Sequence, residues 1–362
     1  MVAPRHPAPR RLVSCLLTAA TAWLLPLALS GGPTAAAAVP TAVQDTGDVS
    51  LAQGTSVGLH NTYNDTTAFP YLAQALDTGT SLVELDTWVD PITREWKVSH
   101  ANPLGNGNNC VDASTAADLY RGGANKDLGS CLDDIRIWLA AHPSHAPIMV
   151  KLEMKAGFDA TIGFGPTELD SLVQAHLGSD VYRPADLMAG YPTLDAAARA
   201  NNWPKRSAVA GKVILEAIPG TFEMNNPFDT LWTDTEYAQH LAALQAAGHL
   251  GDAQIFPSVL GAASGDPRTR YPDASLRQWF VVFDGDAHAY VDGGIDTSWY
   301  DTNHYLLVMT DAQNVDPALS DTAPSVPDAT ARVAQLAAAH ASFVSCDWTG
   351  LPSVLAEQLP RG

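Results

Sequence analysis

Two histidines and three carboxylates lie at or near the ends of short apolar runs in the first half of this chain. Gly58-Leu59-His60-Asn61-Thr62-Tyr63 closes one run with His60 and Asn61. Val83-Glu84-Leu85-Asp86-Thr87-Trp88 carries two acids, and Val98-Ser99-His100 brings the second histidine. Pro147 to Lys155 adds Glu153, flanked by Lys151 and Lys155. Asn61, Glu84, Asp86 and Glu153 form an all-oxygen donor set. Such a set suits Ca²⁺ or Mg²⁺ and not a thiolate-seeking metal. His60 and His100 could then carry protons on either side of the ion. Plainer readings use the same residues. Glu84 and Asp86 could pair with Arg94 or Lys97, and Glu153 with Lys151 or Lys155.

These side chains meet only if their runs are neighbouring strands. Apolar runs recur along the chain at Ser56–His60, Leu82–Asp86, Trp96–His100, Ile148–Glu153, Lys212–Ala217, Gln254–Val259, Trp279–Asp284, His304–Met309 and Ser342–Cys346. Several are β-branched and nearly continuous, as in strands buried on both faces. Helical segments fall between them at Tyr71–Leu76, Cys131–His142, Thr167–Leu177, Glu236–Ala247 and Ala329–Ala341. Most are closed by glycine or proline stop signals, such as Gly79, Pro143, Gly178 and Gly248. Strand–helix alternation predicts an α/β fold with a largely parallel sheet. Eight or nine such units fit a single-domain (β/α)₈ barrel; a doubly wound open sheet is the alternative. In a barrel, active groups gather at the C-terminal strand ends. Glu84 and Asp86, two apart, share one side of their strand, as do Lys151, Glu153 and Lys155. Carboxylates facing the helix layer would be costly to bury unpaired, so the lumen is the expected side.

Residues 1–38 read as a secretory signal peptide, which leaves 39–362 as the domain. Arg5, Arg10 and Arg11 precede a mostly apolar stretch, Leu12 to Leu29, and Ala35–Ala38 offers small-residue cleavage. The stretch approaches membrane-spanning length, but Pro26 and the alanines suit cleavage better than a retained anchor. Leu12-Val13-Ser14-Cys15 lacks the preceding apolar run a lipoprotein box needs. Arg10-Arg11 leaves twin-arginine export open beside the general route. Losing three arginines and no acid moves the net charge from −19 to −22. A chain this acidic is expected to bind neither nucleic acid nor anionic membrane through its bulk charge. Secretion makes a Cys110–Cys131 disulfide plausible, with Cys346 left as a buried thiol in an apolar run. The mature protein is expected to be secreted, soluble and monomeric, with no stable protein partner.

His60-Asn61-Thr62-Tyr63, Glu84-Leu85-Asp86, His100 and Leu152-Glu153-Met154-Lys155 together resemble the secreted bacterial Ca²⁺-dependent phosphatidylinositol-specific phospholipases C. That family is related to the catalytic domains of eukaryotic phosphoinositide phospholipases C. A weaker resemblance continues through Tyr191–Leu194, Gly211–Leu215 and Phe343–Trp348. It implies a Ca²⁺-dependent phosphodiesterase that cleaves phosphatidylinositol at a membrane or micelle interface. The products would be diacylglycerol and inositol phosphate, cyclic or acyclic. Asn61, Glu84, Asp86 and Glu153 would be the Ca²⁺ ligands, and His60 and His100 the catalytic histidines. Glu84 or Glu153 would take the proton of the attacking ring hydroxyl. Lys155, just past Glu153, would be the lysine that contacts phosphate.

The chain departs from the eukaryotic relatives at one strand. Where they carry lysines for ring phosphates, Lys212-Val213-Ile214-Leu215-Glu216-Ala217 ends in an acid. This argues against a preference for multiply phosphorylated inositides. A glycerophosphodiester phosphodiesterase would use the same barrel, but typically begins its motif with His-Arg-Gly. A silent lipid- or sugar-binding barrel is disfavoured, because all six matching positions hold competent residues. The acidic stretch Asp284–Gly294 lacks the glycine and glutamate of an EF-hand and reads as a barrel loop. Asn106–Asn109 reads as turn chemistry. Trp203, Trp232, Trp299 and Trp348 could face lipid or core.

Overall fold

A computed structural model describes residues 48–362; the predicted leader lies outside them. Ten strands are present among the described residues: β1 Gly54–Leu59, β2 Leu82–Asp90, β3 Glu95–Val98, β4 Ile148–Met154, β5 Val213–Pro219, β6 Ile255–Leu260, β7 Val282–Asp286, β8 Leu306–Thr310, β9 Phe343–Cys346 and β10 Gln358–Pro360. Eight of them, β1, β2 and β4 to β9, pair in parallel around a closed ring. This is the predicted (β/α)₈ barrel. The ring closes where Leu59 of β1 meets Val83 of β2. Glycine is needed at that seam: a Cβ on Gly58 would lie 2.3 Å from Leu82 Cβ. β10 runs antiparallel to the first half of β1.

The predicted helices appear as Leu72–Leu76, Leu128–Ala141, Pro166–Leu177, Thr233–Ala247 and Val326–Ala338. Each buries apolar residues against the sheet, as Leu132, Ile135 and Leu139 do. Asp127 caps the second of them by accepting from the Ser130 N–H at 2.9 Å. No helix among the described residues is long and apolar enough to cross a membrane.

One strand differs from expectation. The run Trp96–His100 is not a member of the parallel ring. β3 returns antiparallel along an extended β2, with Thr87 opposite Val98 and Asp90 opposite Glu95. Only four residues separate the two strands, far too few for the crossover a parallel neighbour requires. Asp90 fixes the turn by accepting from the Ile92 and Thr93 amides at 2.8 and 3.2 Å. His100 therefore reaches the barrel mouth from a hairpin and not from a ring strand.

The Asn106–Asn109 stretch also does more than turn. Asn108 and Asn109 are fully buried. Asn109 donates its side-chain amide to the carbonyls of Thr62 and Phe69, both at 3.1 Å. Asn108 donates to Val98 O at 2.8 Å and Lys126 O at 2.7 Å. These contacts lace the loop after His60 to the loop after His100. The Cys110–Cys131 disulfide anchors the lacing to the second helix, and Cys346 is a buried free thiol. The bridge closes a 21-residue separation, worth about 3 kcal/mol of unfolded-state entropy. Replacing both cysteines with serine should lower the urea-extrapolated unfolding free energy by about that amount. A change below about 1 kcal/mol would show that the loop is held without the bridge.

Candidate active site at the barrel mouth

Side chains two apart on β2 and β4 point into the lumen, and the strand register places them side by side. Glu84 lies opposite Lys151, and Asp86 opposite Glu153. Glu84 and Asp86 are buried, while Glu153 is half-buried at the rim. Glu84, Asp86 and Glu153 each offer a carboxylate oxygen within 4.8 Å of the other two. Asn61 joins them from the end of β1. Its backbone has a φ of 47°, a left-handed turn that asparagine tolerates. That turn lets its N–H donate to Glu84 Oε2 at 3.3 Å. The Tyr63 hydroxyl donates to Asn61 Oδ1 at 3.5 Å.

The electrostatics of this nest call for a cation. Burial, together with the Glu153 and Glu84 charges, pushes the Asp86 carboxyl up to about 7. Neither Asp86 oxygen has a hydrogen-bond partner. The Lys155 ammonium lies 3.0 Å from Oδ2 but outside hydrogen-bond geometry. Glu84 behaves differently. Burial works against its charge, but Lys151 and His60 hold it below the usual carboxylate range. A hard divalent ion fits such a set: three carboxylates and one amide oxygen, with neither oxygen of Asp86 accepting a hydrogen bond. Lys97 pairs with Glu95 and Asp90, so it takes no part in a network with Glu84 or Asp86.

His60 sits beside the nest. Its Nε2 is 3.6 Å from Glu84 Oε2 and 3.1 Å from Asn61 Nδ2. Its Nδ1 faces away, 3.1 Å from Asp347 Oδ1 and 3.5 Å from Asp311 Oδ1. Burial opposes protonation of the ring. The Asp347 hydrogen bond and the charges of Glu84 and Asp311 outweigh it, pushing His60 up to about 9. Gln313 spaces the two acids, donating to Asp347 Oδ2 at 2.9 Å and Asp311 Oδ1 at 3.2 Å. Asp311 reaches this position through a left-handed φ of 55° at the end of β8. His100 is exposed on the loop after β3 and has no hydrogen bond or ion pair among the described residues. Its neighbour Ser99 is fixed: the Ser99 N–H donates to Asp86 O at 3.1 Å, and its carbonyl accepts from Trp88 Nε1 at 2.7 Å.

The structure thus brings Asn61, His60, Glu84, Asp86, Glu153 and Lys155 to one rim, with His100 beside them on the hairpin. Sequence reasoning missed Asp347, Asp311 and Gln313. Asp347 follows the last parallel strand, the same strand-end signal that pointed to His60. Asp284, which the sequence places both at the end of the run Trp279–Asp284 and at the start of an acidic loop, is a buried residue of β7. Asp284 Oδ2 is 3.0 Å from Lys151 Nζ, directly beneath the nest.

A family model described as phosphoinositide phospholipase C, Ca²⁺-dependent, matches residues 116–226. No curated protein matches the chain. Among solved structures, a Ca²⁺-dependent phosphatidylinositol-specific phospholipase C from Streptomyces antibioticus is 54% identical, with a TM-score of 0.84. That match covers 86% of this chain and 99% of the relative. A calcium-dependent phosphoinositol-specific phospholipase C from a Gram-negative bacterium, Pseudomonas sp., has the same fold at 19% identity. Its TM-score is 0.66, over 89% of this chain and 99% of the relative. The chain belongs to the Ca²⁺-dependent phosphoinositide phospholipase C family.

The Asp347–His60 contact generates a direct test. Asp347→Asn keeps the shape but removes the charge that favours imidazolium. The His60 pKa, followed by NMR, should fall from its raised position toward the ordinary histidine value. kcat should fall about 10²-fold or more, with KM little changed. An unmoved His60 titration would mean that Asp347 does not set its protonation.

Proposed function

We propose that this chain is a secreted Ca²⁺-dependent phosphodiesterase that cleaves phosphatidylinositol to diacylglycerol and inositol phosphate. The observation that carries the reading is the cluster of Glu84, Asp86 and Glu153 carboxylates at the barrel mouth, with His60 3.6 Å from Glu84. Membership of the family supports the same reading. The disulfide, favoured in oxidising compartments, supports secretion.

Asn61, Glu84, Asp86 and Glu153 would hold the ion. When bound, Ca²⁺ neutralises charge on the phosphodiester and lowers the pKa of a coordinated hydroxyl. The rest falls to the chain. Glu153 is the better proton acceptor for the ring hydroxyl, because it is half-buried at the rim while Glu84 is locked below by Lys151. Glu153 Oε1 is already oriented by the Thr221 N–H at 2.9 Å and Lys155 Nζ at 2.8 Å. His60, held by Asp347 through Nδ1, presents Nε2 to the crowded phosphorus as a cationic donor. His100, open to solvent, protonates the departing diacylglycerol oxygen. Water then opens a cyclic phosphate with the acid and base roles reversed.

Phosphatidylinositol vesicles incubated with the mature protein should release inositol phosphate and diacylglycerol with Ca²⁺ and not with chelator. His100→Ala should cut this turnover about 10²–10⁴-fold while leaving the melting temperature unchanged. Vesicles left intact while glycerophosphoinositol is cleaved would transfer the chain to the phosphodiesterase class.

The loop after β5 is the proposed lipid contact. Phe222, Phe228, Leu231 and Trp232 are all exposed there, and Ile92 is exposed at the hairpin tip. Phe222 touches Trp88 of β2, with ring centroids 5.6 Å apart, so the loop borders the mouth. Glu223 cinches the loop, accepting from Thr233 N at 2.6 Å and Thr233 Oγ1 at 3.0 Å. Trp203 and Trp348, in contrast, are core residues. Phe228→Ser with Trp232→Ser should lower vesicle turnover about tenfold more than turnover of soluble inositol cyclic phosphate. Equal losses on both substrates would assign the loop to folding and not to lipid.

A further inference from the structure

The carboxylate nest contains a cation of the protein's own. Lys155 Nζ lies 2.8 Å from Glu153 Oε1 and 3.0 Å from Asp86 Oδ2, so it touches two of the three acids. The lysine is 5% exposed. Its backbone is fixed on both sides. The Lys155 N–H donates to Thr87 O at 2.9 Å, and its carbonyl accepts from Glu223 N at 2.7 Å. Gly220 packs so close that a Cβ there would lie 2.4 Å from Lys155 Cα. The ammonium can therefore leave the nest only by swinging the side chain, and not by moving the strand end.

A second lysine, Lys151, approaches from below at 3.6 Å from Glu84. Glu84, Asp86, Glu153 and Asp284 face Lys151, Lys155 and the His60 imidazolium, so with every group ionised the site carries one net negative charge. A divalent ion entering it turns that to one net positive charge. Sites of this kind bind Ca²⁺ weakly, because affinity follows the count of uncompensated ligand charge.

We propose that Lys155 is a resident counter-charge of the nest, which neutralises it in the metal-free protein and holds its Ca²⁺ affinity low. This rests on the reading of the nest as the Ca²⁺ site. The lysine competes with the ion for Glu153 and Asp86, and it opposes the ion's charge while it stays nearby. The metal-free barrel gains order, because three crowded carboxylates are held without an ion. The cost appears as weaker Ca²⁺ binding, in the range of about 10⁻⁴–10⁻³ M typical of extracellular sites. Occupancy then responds to the Ca²⁺ concentration outside a cell and would be slight at cytosolic levels.

Isothermal titration of Ca²⁺ into chelator-treated protein tests this without any turnover. Lys155→Met removes the charge and should tighten Ca²⁺ binding about 10–100-fold. Lys155→Gln keeps a donor toward Glu153, covers the case in which the methionine variant fails to fold, and should also tighten binding. Lys155→Arg keeps the charge and should stay within about threefold of the natural protein. The metal-free melting temperature should fall in Lys155→Met, and the rise on adding Ca²⁺ should be larger than in the natural protein. Ca²⁺ binding that is unchanged or weaker in both Lys155→Met and Lys155→Gln overturns the counter-charge role while leaving the metal site standing. No Ca²⁺ binding by the natural protein or either variant overturns the metal site itself, and this proposal with it.

Discussion

The mouth of this barrel depends on one buried ion pair. Lys151 on β4 reaches Asp284 on β7 across the lumen, at 3.0 Å, with both side chains almost fully buried. Two strands separate β4 from β7 around the ring. Burial alone would discharge Lys151, but the charges of Asp284 and Glu84 outweigh it and keep the ammonium charged. Glu216 takes the opposite course. Burial and the Asp284 charge push it up to about 8, so near neutral pH it is largely uncharged. The floor of the site is thus a lysine shared between Asp284 and Glu84. Removing one member of such a pair typically costs about 3–5 kcal/mol, because the other is left buried and alone. The same lysine keeps Glu84 ionised from below, which makes Glu84 a fixed negative wall of the nest.

What lies above that floor is positioned by loops tied to each other. The loop after His60 and the loop after His100 are joined through Asn109, and Asn108 ties the latter back to Val98 of β3. The loop after β5 is sewn to the end of β4, with Gly220 N donating to Met154 O at 3.0 Å and Thr221 N to Glu153. The two sets of loops meet at β2, where Ser99 N donates to Asp86 O and Lys155 N donates to Thr87 O.

Most of the barrel was legible because its strands are buried on both faces and its helices end in glycine or proline. Runs such as Ile148–Glu153 announce themselves by composition alone. The hairpin was not legible, because Trp96–His100 has the same apolar character as a ring strand. What distinguishes it is the four-residue connection to β2, a length that excludes a crossover. The nest was legible as residue types at strand ends, since alternation fixes which side chains share a face. Its partners were not. His60 and Asp347 are 287 residues apart, and only closure of the ring brings them together. Asp284 reads both as a strand end and as a loop acid, because nothing nearby in sequence shows that Lys151 waits across the lumen.

The charge arrangement also bears on which headgroup the mouth accepts. Glu216, where the sequence places an acid in the strand that carries lysines in the eukaryotic relatives, suggests a poor fit to multiply phosphorylated rings. Its position gives a different reason, since it is fully buried below the nest, within reach of Lys151's field and not of a ligand. What matters is that Lys151 of β4 and Lys155 just past its end are both committed to carboxylates, Lys151 to Asp284 and Glu84, and Lys155 to Glu153 and Asp86. Lys212, at the far end of β5, is tied to Ser179 O and Asp180. Above them the rim presents Asp311 and Asp347 as well as Glu153. A ring carrying further phosphates would bring dianions toward this acidic rim with no free lysine of β4 or β5 to meet them. An unphosphorylated ring brings only hydroxyl groups, which carboxylates can accept as hydrogen-bond donors, and one phosphodiester, which the ion and His60 can share.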